Sequence, residues 1–186
     1  MNFDTYKPKP SDRSSIRTNI GRALLNRSKG DYLQIWEMDF MTKKNRESLG
    51  HKRDTNKEKR IESRVTKTLR ERFSFRFVLI RSQLERMGSK GLESSLIGTV
   101  ASCQWCKPSE NWLGNYATQK QIRESGLWIG QHLKASGINE NDKETIVNAI
   151  RKTKEWITNG VSDSIKGSSR YSSGLAQIPR SATFGV

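Results

Sequence analysis

The chain has 186 residues, 33% of them hydrophobic and 28% charged, with a net charge of +15 and five Trp and six Phe for a core. That length suits one domain with tails. No stretch approaches the ~18 apolar residues of a membrane-crossing helix, no apolar signal core or lipidation sequence is present, and two cysteines cannot form a disulfide framework, so the chain is expected to work inside the cell, in the cytoplasm and in some settings the nucleus.

The charge is uneven. Residues 1–91 hold 23 Lys and Arg against 11 Asp and Glu, and residues 92–186 hold 11 against 8. A basic half beside a near-neutral half suggests a surface for nucleic acid or anionic membrane.

In chain order, residues 1–11 read as a flexible basic arm around Lys7-Pro8-Lys9-Pro10. Asp12 is placed to cap a helix over 13–28, with Ile16, Ile20, Ala23 and Leu24 on one face and Gly30 as its terminating glycine. Residues 31–41 alternate as Tyr32, Gln34, Trp36, Met38 and Phe40 and read as a strand. Residues 42–60 mix both signs of charge around the single clear apolar residue Leu49, which predicts a long basic loop.

Residues 63–82 fit two periods. At a period of two, Val65, Leu69, Phe73, Phe75, Phe77 and Leu79 share one face, and Arg64, Arg70, Arg72 and Arg76 share the other. At a period near 3.6, Ile61, Val65, Leu69, Phe73 and Phe77 also form a stripe. The alternating Phe and the Val-Leu-Ile end favour the strand. A glycine turn at 88–91 then leads into a second strand over 92–106, with Gly98 as a bulge, and the two arms make a long antiparallel hairpin. An irregular connector at 107–117 precedes two helices, over 118–135 and from Asn141 or Asp142 to Thr158, the second burying Ile146, Val147, Ile150, Trp156 and Ile157. Residues 161–186 read as a flexible Ser/Gly-rich tail. The expected fold is therefore a single α+β domain over 12–160, an antiparallel sheet built on the hairpin with helices packed on one face.

The arginine row is the leading candidate site. Alternate strand residues stand ~7 Å apart, close to successive phosphates, and guanidinium binds phosphate bidentately. Lys43, Lys44, Lys52 and Arg53 of the loop would extend the phosphate track, and Trp105 and Trp112 would stack on bases. Cys103-Gln104-Trp105-Cys106 is a single CxxC. With His51 and His132 the chain has donors for one zinc site, but both histidines are remote in sequence, so two inert thiols and no metal are expected. Neither histidine has a nucleophile beside it, and Gly88 to Gly91 lacks the spacing of a phosphate-binding loop. The reading is of a protein that is not an enzyme and takes no cofactor.

The runs FSFRF, LIGTV and SGLWIGQHL resemble the effector domain of influenza-type nonstructural protein 1, where a twisted antiparallel sheet wraps a long helix. FSFRF also looks like strands of double-stranded-RNA-binding silencing suppressors of plant viruses. These resemblances cover less than half the chain and transfer no functional residues. They imply a viral accessory protein that binds RNA without sequence preference, duplex above single strand, and sequesters or packages it against host silencing or innate sensing. The alternative is a small basic matrix or adaptor protein on anionic membrane or an acidic partner. A homodimer through the hairpin edge and a host protein docked on the tail complete the expected partners.

Overall fold

The computed structural model describes residues 7–80 and 91–158, and among these it contains helices and no strand. In chain order they are α1 (Ser15–Arg27), α2 (Leu33–Trp36), α3 (Lys43–Leu49), α4 (Thr55–Arg72), α5 (Leu92–Ser102), α6 (Lys120–Ser125) and α7 (Glu140–Thr158). Short 3-10 turns occupy Pro10–Arg13, Gly50–Lys52 and Leu113–Tyr116. The α+β expectation is overturned, and each misread stretch has a physical reason.

The core lies between α1, α2 and α4. Ile20, Leu24 and Leu25 meet Tyr32, Trp36, Ile61 and Val65 there. The apolar face expected of the first helix is the face α1 buries. Its N-cap is Ser14, whose hydroxyl accepts from the Arg17 N–H, while Asp12 closes the preceding turn by accepting from the Lys9 N–H at 2.9 Å. The left-handed residue after α1 is Lys29, with φ at 49°, and the Gly30 N–H bonds back to the Leu25 carbonyl.

The first misreading is the strand over 31–41. Tyr32, Trp36 and Phe40 do bury together, but they stand four apart, a helical spacing as well as an even one. The chain turns through α2, and the Trp36 ring lies against Gly21 of α1, where any Cβ would come within 2.5 Å of it. The second is the mobile arm. Residues 7–11 are anchored: Lys9 and Ser11 are fully buried, and the Lys9 ammonium sits 4.8 Å from the centre of the Trp36 ring.

The third is the hairpin. Residues 63–72 continue α4, an 18-residue helix that begins inside the supposed loop. Asp54 caps it, accepting from the N–H groups of Asn56 and Lys57 at 2.9 and 3.0 Å. The buried stripe of α4 is Glu58, Ile61, Glu62 and Val65, so half of its core-facing positions are carboxylates, invisible to a hydrophobicity count. Residues 73–80 form neither helix nor strand, and Phe75 and Phe77 stay largely exposed. Of the turn expected over 88–91, residues 88–90 lie outside the described residues.

The second supposed arm is α5. Leu92, Ser94, Ser95 and Gly98 bury, and Gly98 marks a close approach to the Ala135 carbonyl, not a bulge. Thr99 fixes the contact, accepting from the Ile138 N–H at 2.8 Å. The helix expected over 118–135 stops at Gly126, whose φ of 72° is a left-handed C-cap. The last helix, α7, starts at Glu140, with Asn139 and Asp142 bonded to each other's backbone as a capping box. It buries Ala149 and Thr153, while Val147, Ile150 and Ile157 are exposed, contrary to the expected stripe.

Side chains of α1 tie the later segments to the core. Asn19 donates to the Trp128 carbonyl at 3.2 Å and Asn26 to the Tyr116 carbonyl at 2.9 Å. The Trp112 and Trp128 rings meet at 5.2 Å, and Phe73 joins Trp128 at 6.5 Å. This brings the 109–113 segment beside the C-terminal half of α4.

Candidate active site

Helix α4 presents three faces to its surroundings. The first is buried and carries charge. Arg53 and Glu58, both with fully enclosed side chains, form a two-bond pair at 2.9 and 2.6 Å. Arg53 also donates to the Lys7 carbonyl and stacks over Phe40 at 4.8 Å. Tyr32 donates to Glu58 and accepts from the Asp54 N–H. Burial pushes the Tyr32 phenol above its ordinary range, and the Glu58 charge adds to this. Burial works to lower the Arg53 pKa, but the hydrogen bonds and charge of Glu58 raise it overall. This cluster has no open side and holds the 3-10 turn, α2 and α4 together.

The second face lines a groove of about 890 Å³ between α4 and the start of α1. Its floor is a network. Glu62 accepts from the Arg17 guanidinium at 2.6 Å and from the Ser11 N–H at 2.8 Å, and the same Arg17 nitrogen donates to Thr66 at 3.0 Å. Arg17 Nε is buried with no protein partner among the described residues, and Lys59, Lys67 and Arg70 line the walls. The third face lines a groove of about 1000 Å³ against the 109–113 segment, where Arg27, Arg64 and Arg72 surround Phe73, Trp112 and Trp128.

Lys67 and Glu71 line both grooves. They stand one helical turn apart on the crest between them, with Lys67 Nζ 3.9 Å from a Glu71 oxygen and both side chains more than half exposed. Glu62 has its oxygens engaged by Arg17 and Ser11, whereas among the described residues Glu71 has only this long, solvated pairing. Glu71 is thus the carboxylate of the two grooves most available to a ligand, in a setting otherwise dominated by cations.

Of the residues expected to bind nucleic acid, Arg64, Arg70 and Arg72 are exposed on α4 but do not form one row. A helix turns 100° per residue, so Arg64 and Arg72 enter the aromatic groove and Arg70 the Arg17 groove. Arg76 is exposed on the 73–80 segment beyond the end of α4. Lys43, Lys44 and Lys52 are exposed on α3 and the turn after it, while the Arg53 side chain is enclosed by Glu58, Phe40 and Lys7. Trp112 is half-buried on Trp128, and Trp105 is almost wholly exposed on the far side of the 103–106 turn. Sequence reasoning passed over Arg17, Arg27, Glu62, Lys67 and Glu71. The signal for Glu62 was there: 58, 62, 65 and 69 keep helical spacing once charged residues are allowed on the inner face.

The GIY-YIG domain model matches residues 8–156, and the chain belongs to that family. This is a nuclease domain family, which points to an enzyme and overturns both the non-enzymatic reading and the viral silencing suppressor built on it. Neither tripeptide in the family's description, Gly-Ile-Tyr or Tyr-Ile-Gly, occurs in the sequence; Gly137-Ile138-Asn139 shares two residues with the first, and Asn19-Ile20-Gly21, Leu96-Ile97-Gly98 and Trp128-Ile129-Gly130 each share two with the second. Neither a curated protein nor a solved structure matches the chain significantly.

Proposed function

We propose that the protein cleaves phosphodiester bonds of nucleic acid at the crest of α4, where Glu71 and Lys67 border both grooves. The observation that carries this reading is the pairing of one accessible carboxylate with cations on both sides of it, in a chain of a nuclease family. Backbone phosphates would lie against Arg64 and Arg72 on one side and Arg70 and Lys59 on the other, with Arg17 held in place by Glu62 at the groove floor. Guanidinium groups suit this role because they stay charged and meet phosphate oxygens two at a time.

Hydrolysis needs a water deprotonated as it attacks phosphorus, and stabilisation of the negative charge gathering on the non-bridging oxygens. Glu71 takes the proton, and Lys67, Arg70 and Arg72 face the developing charge. Among the described residues no group of three or more His, Cys, Asp or Glu could hold a metal ion by itself. One exposed carboxylate together with substrate phosphates is nevertheless a usual way to bind Mg²⁺, and Glu71 fits that donor set. When bound there, the cation would supply further neutralisation of phosphate charge.

The test is a cleavage assay on supercoiled plasmid, linear duplex DNA, single-stranded DNA and RNA, with Mg²⁺, Mn²⁺ or chelator. Glu71→Gln is expected to lower cleavage by two or more decades, on the scale of general-base catalysis, with substrate affinity retained. Full activity in Glu71→Gln, or no cleavage of any substrate by the parent protein, would overturn the assignment.

A further inference from the structure

The CxxC turn is not used by the chemistry at α4, and its geometry is not that of two inert thiols. Helix α5 ends at Ser102, and Cys103 follows as its C-cap residue in extended conformation. The chain then folds back so that the Cys106 N–H donates to Cys103 Sγ at 3.2 Å. A backbone donor within the turn is therefore aimed at the Cys103 sulfur. Cys106 is exposed and Cys103 partly so, and Trp105 between them projects almost entirely into solvent.

We propose that Cys103 and Cys106 form a redox-active dithiol that exchanges with low-molecular-weight disulfides of the glutathione class. Donors aimed at a sulfur stabilise its thiolate, and the thiolate is the attacking species in exchange. Cys103 is the nucleophile. Its pKa is lowered chiefly by the Cys106 hydrogen bond, then by backbone groups, with a smaller contribution from the Lys107 charge, while Cys106 is raised by the same contact.

The chemistry takes two steps. The Cys103 thiolate attacks one sulfur of the small disulfide, forming a mixed disulfide and releasing one thiolate of that molecule. Cys106 then loses its proton to solvent and attacks Cys103 Sγ, closing the Cys103–Cys106 bond and releasing the second thiolate. The protein dithiol is oxidised by two electrons and one small disulfide is reduced to two thiols.

This site is separate from the proposed phosphodiester chemistry, and its test does not depend on cleavage. The purified full chain is equilibrated in glutathione buffers of graded ratio, quenched with acid, alkylated with a maleimide and weighed by mass spectrometry. The expected result is one transition between a doubly alkylated form and an unalkylated form 2 Da lighter than the reduced chain. Cys106→Ser is expected to accumulate a glutathione adduct on Cys103. Cys103→Ser is expected to form its adduct on Cys106 at least tenfold more slowly at pH 7, and the alkylation rate of Cys103 in Cys106→Ser is expected to rise at lower pH than that of Cys106 in Cys103→Ser. The proposal fails if both thiols stay alkylatable in excess oxidised glutathione, if only intermolecular dimers form, if Cys106 is the faster thiol, or if the pair is protected until a zinc chelator is added.

Discussion

Arg17 of α1 and Glu62 of α4, 45 residues apart in sequence, meet at 2.6 Å on the floor of the groove beside the α4 crest. The Glu62 side chain is 7% exposed and that of Arg17 21%. The pair therefore has two roles, locking α1 to α4 and aiming a guanidinium at the groove. Glu62→Gln keeps the shape and removes the charge. It is expected to cost about 1.5–3 kcal/mol, the scale of a hydrogen bond to a charged group, seen as a lower urea midpoint at unchanged slope. Cleavage should fall further than lost stability explains, because Arg17 loses its fixed direction.

The Arg53–Glu58 pair should behave differently, because it has no solvent access. Removing either partner leaves a buried charge alone, at about 3–5 kcal/mol. Arg53→Met and Glu58→Leu are each expected to be strongly destabilising, and the double variant less so than the sum. A double-mutant cycle by chemical denaturation reads the coupling. Simple additivity would contradict the geometry.

Substrate binding should show its electrostatics through salt. Arg64→Ala, Arg70→Ala and Arg72→Ala are each expected to weaken nucleic-acid binding evenly across sequences and to flatten the log–log salt dependence by about one unit. These side chains are exposed, so thermal stability should hardly move. Mobility shifts on one duplex at four salt concentrations suffice to check it. An unchanged slope in all three would remove α4 from the binding surface.

A smaller effect belongs to the edge of the core. Asp31 accepts from Lys57 Nζ at 2.8 Å, and this hydrogen bond and the Lys57 charge hold its carboxyl below the ordinary 3.8. A depressed folded-state pKa contributes stability that is present above the unfolded value and lost as pH falls through the folded one. Asp31→Asn should therefore be slightly less stable than the parent at pH 7, with a smaller difference at pH 2. Denaturant midpoints at the two pH values make the comparison.

Much of the chain's character is readable before folding. The positive charge concentrates in residues 1–91, and in the structure the α4 surface between its two grooves carries a dense share of it. The apolar face of α1 follows from local periodicity, because its pattern is contained within the helix, whereas for α7 the pattern locates the helix but not the face it buries. The phenylalanine alternation of 73–77 reads as a strand, and the structure has none there. What it could not disclose is that no neighbouring strand pairs with it among the described residues.

The crest of α4 belongs to tertiary structure. In sequence, Glu58 looks like a solvated residue of a charged loop, and Glu62 falls just beyond it with no sign of burial. They enter the core only because Arg53, Tyr32, Arg17 and the Ser11 backbone arrive from elsewhere to satisfy them. Once these carboxylates point inward, the helix is oriented, and its opposite side must present Arg64, Lys67, Glu71 and Arg72 to solvent. Composition by itself determined that the protein would carry a basic surface. Only the long-range pairing of buried charges decided that this surface is a helix, which arginines share a groove, and which single carboxylate stands open among them.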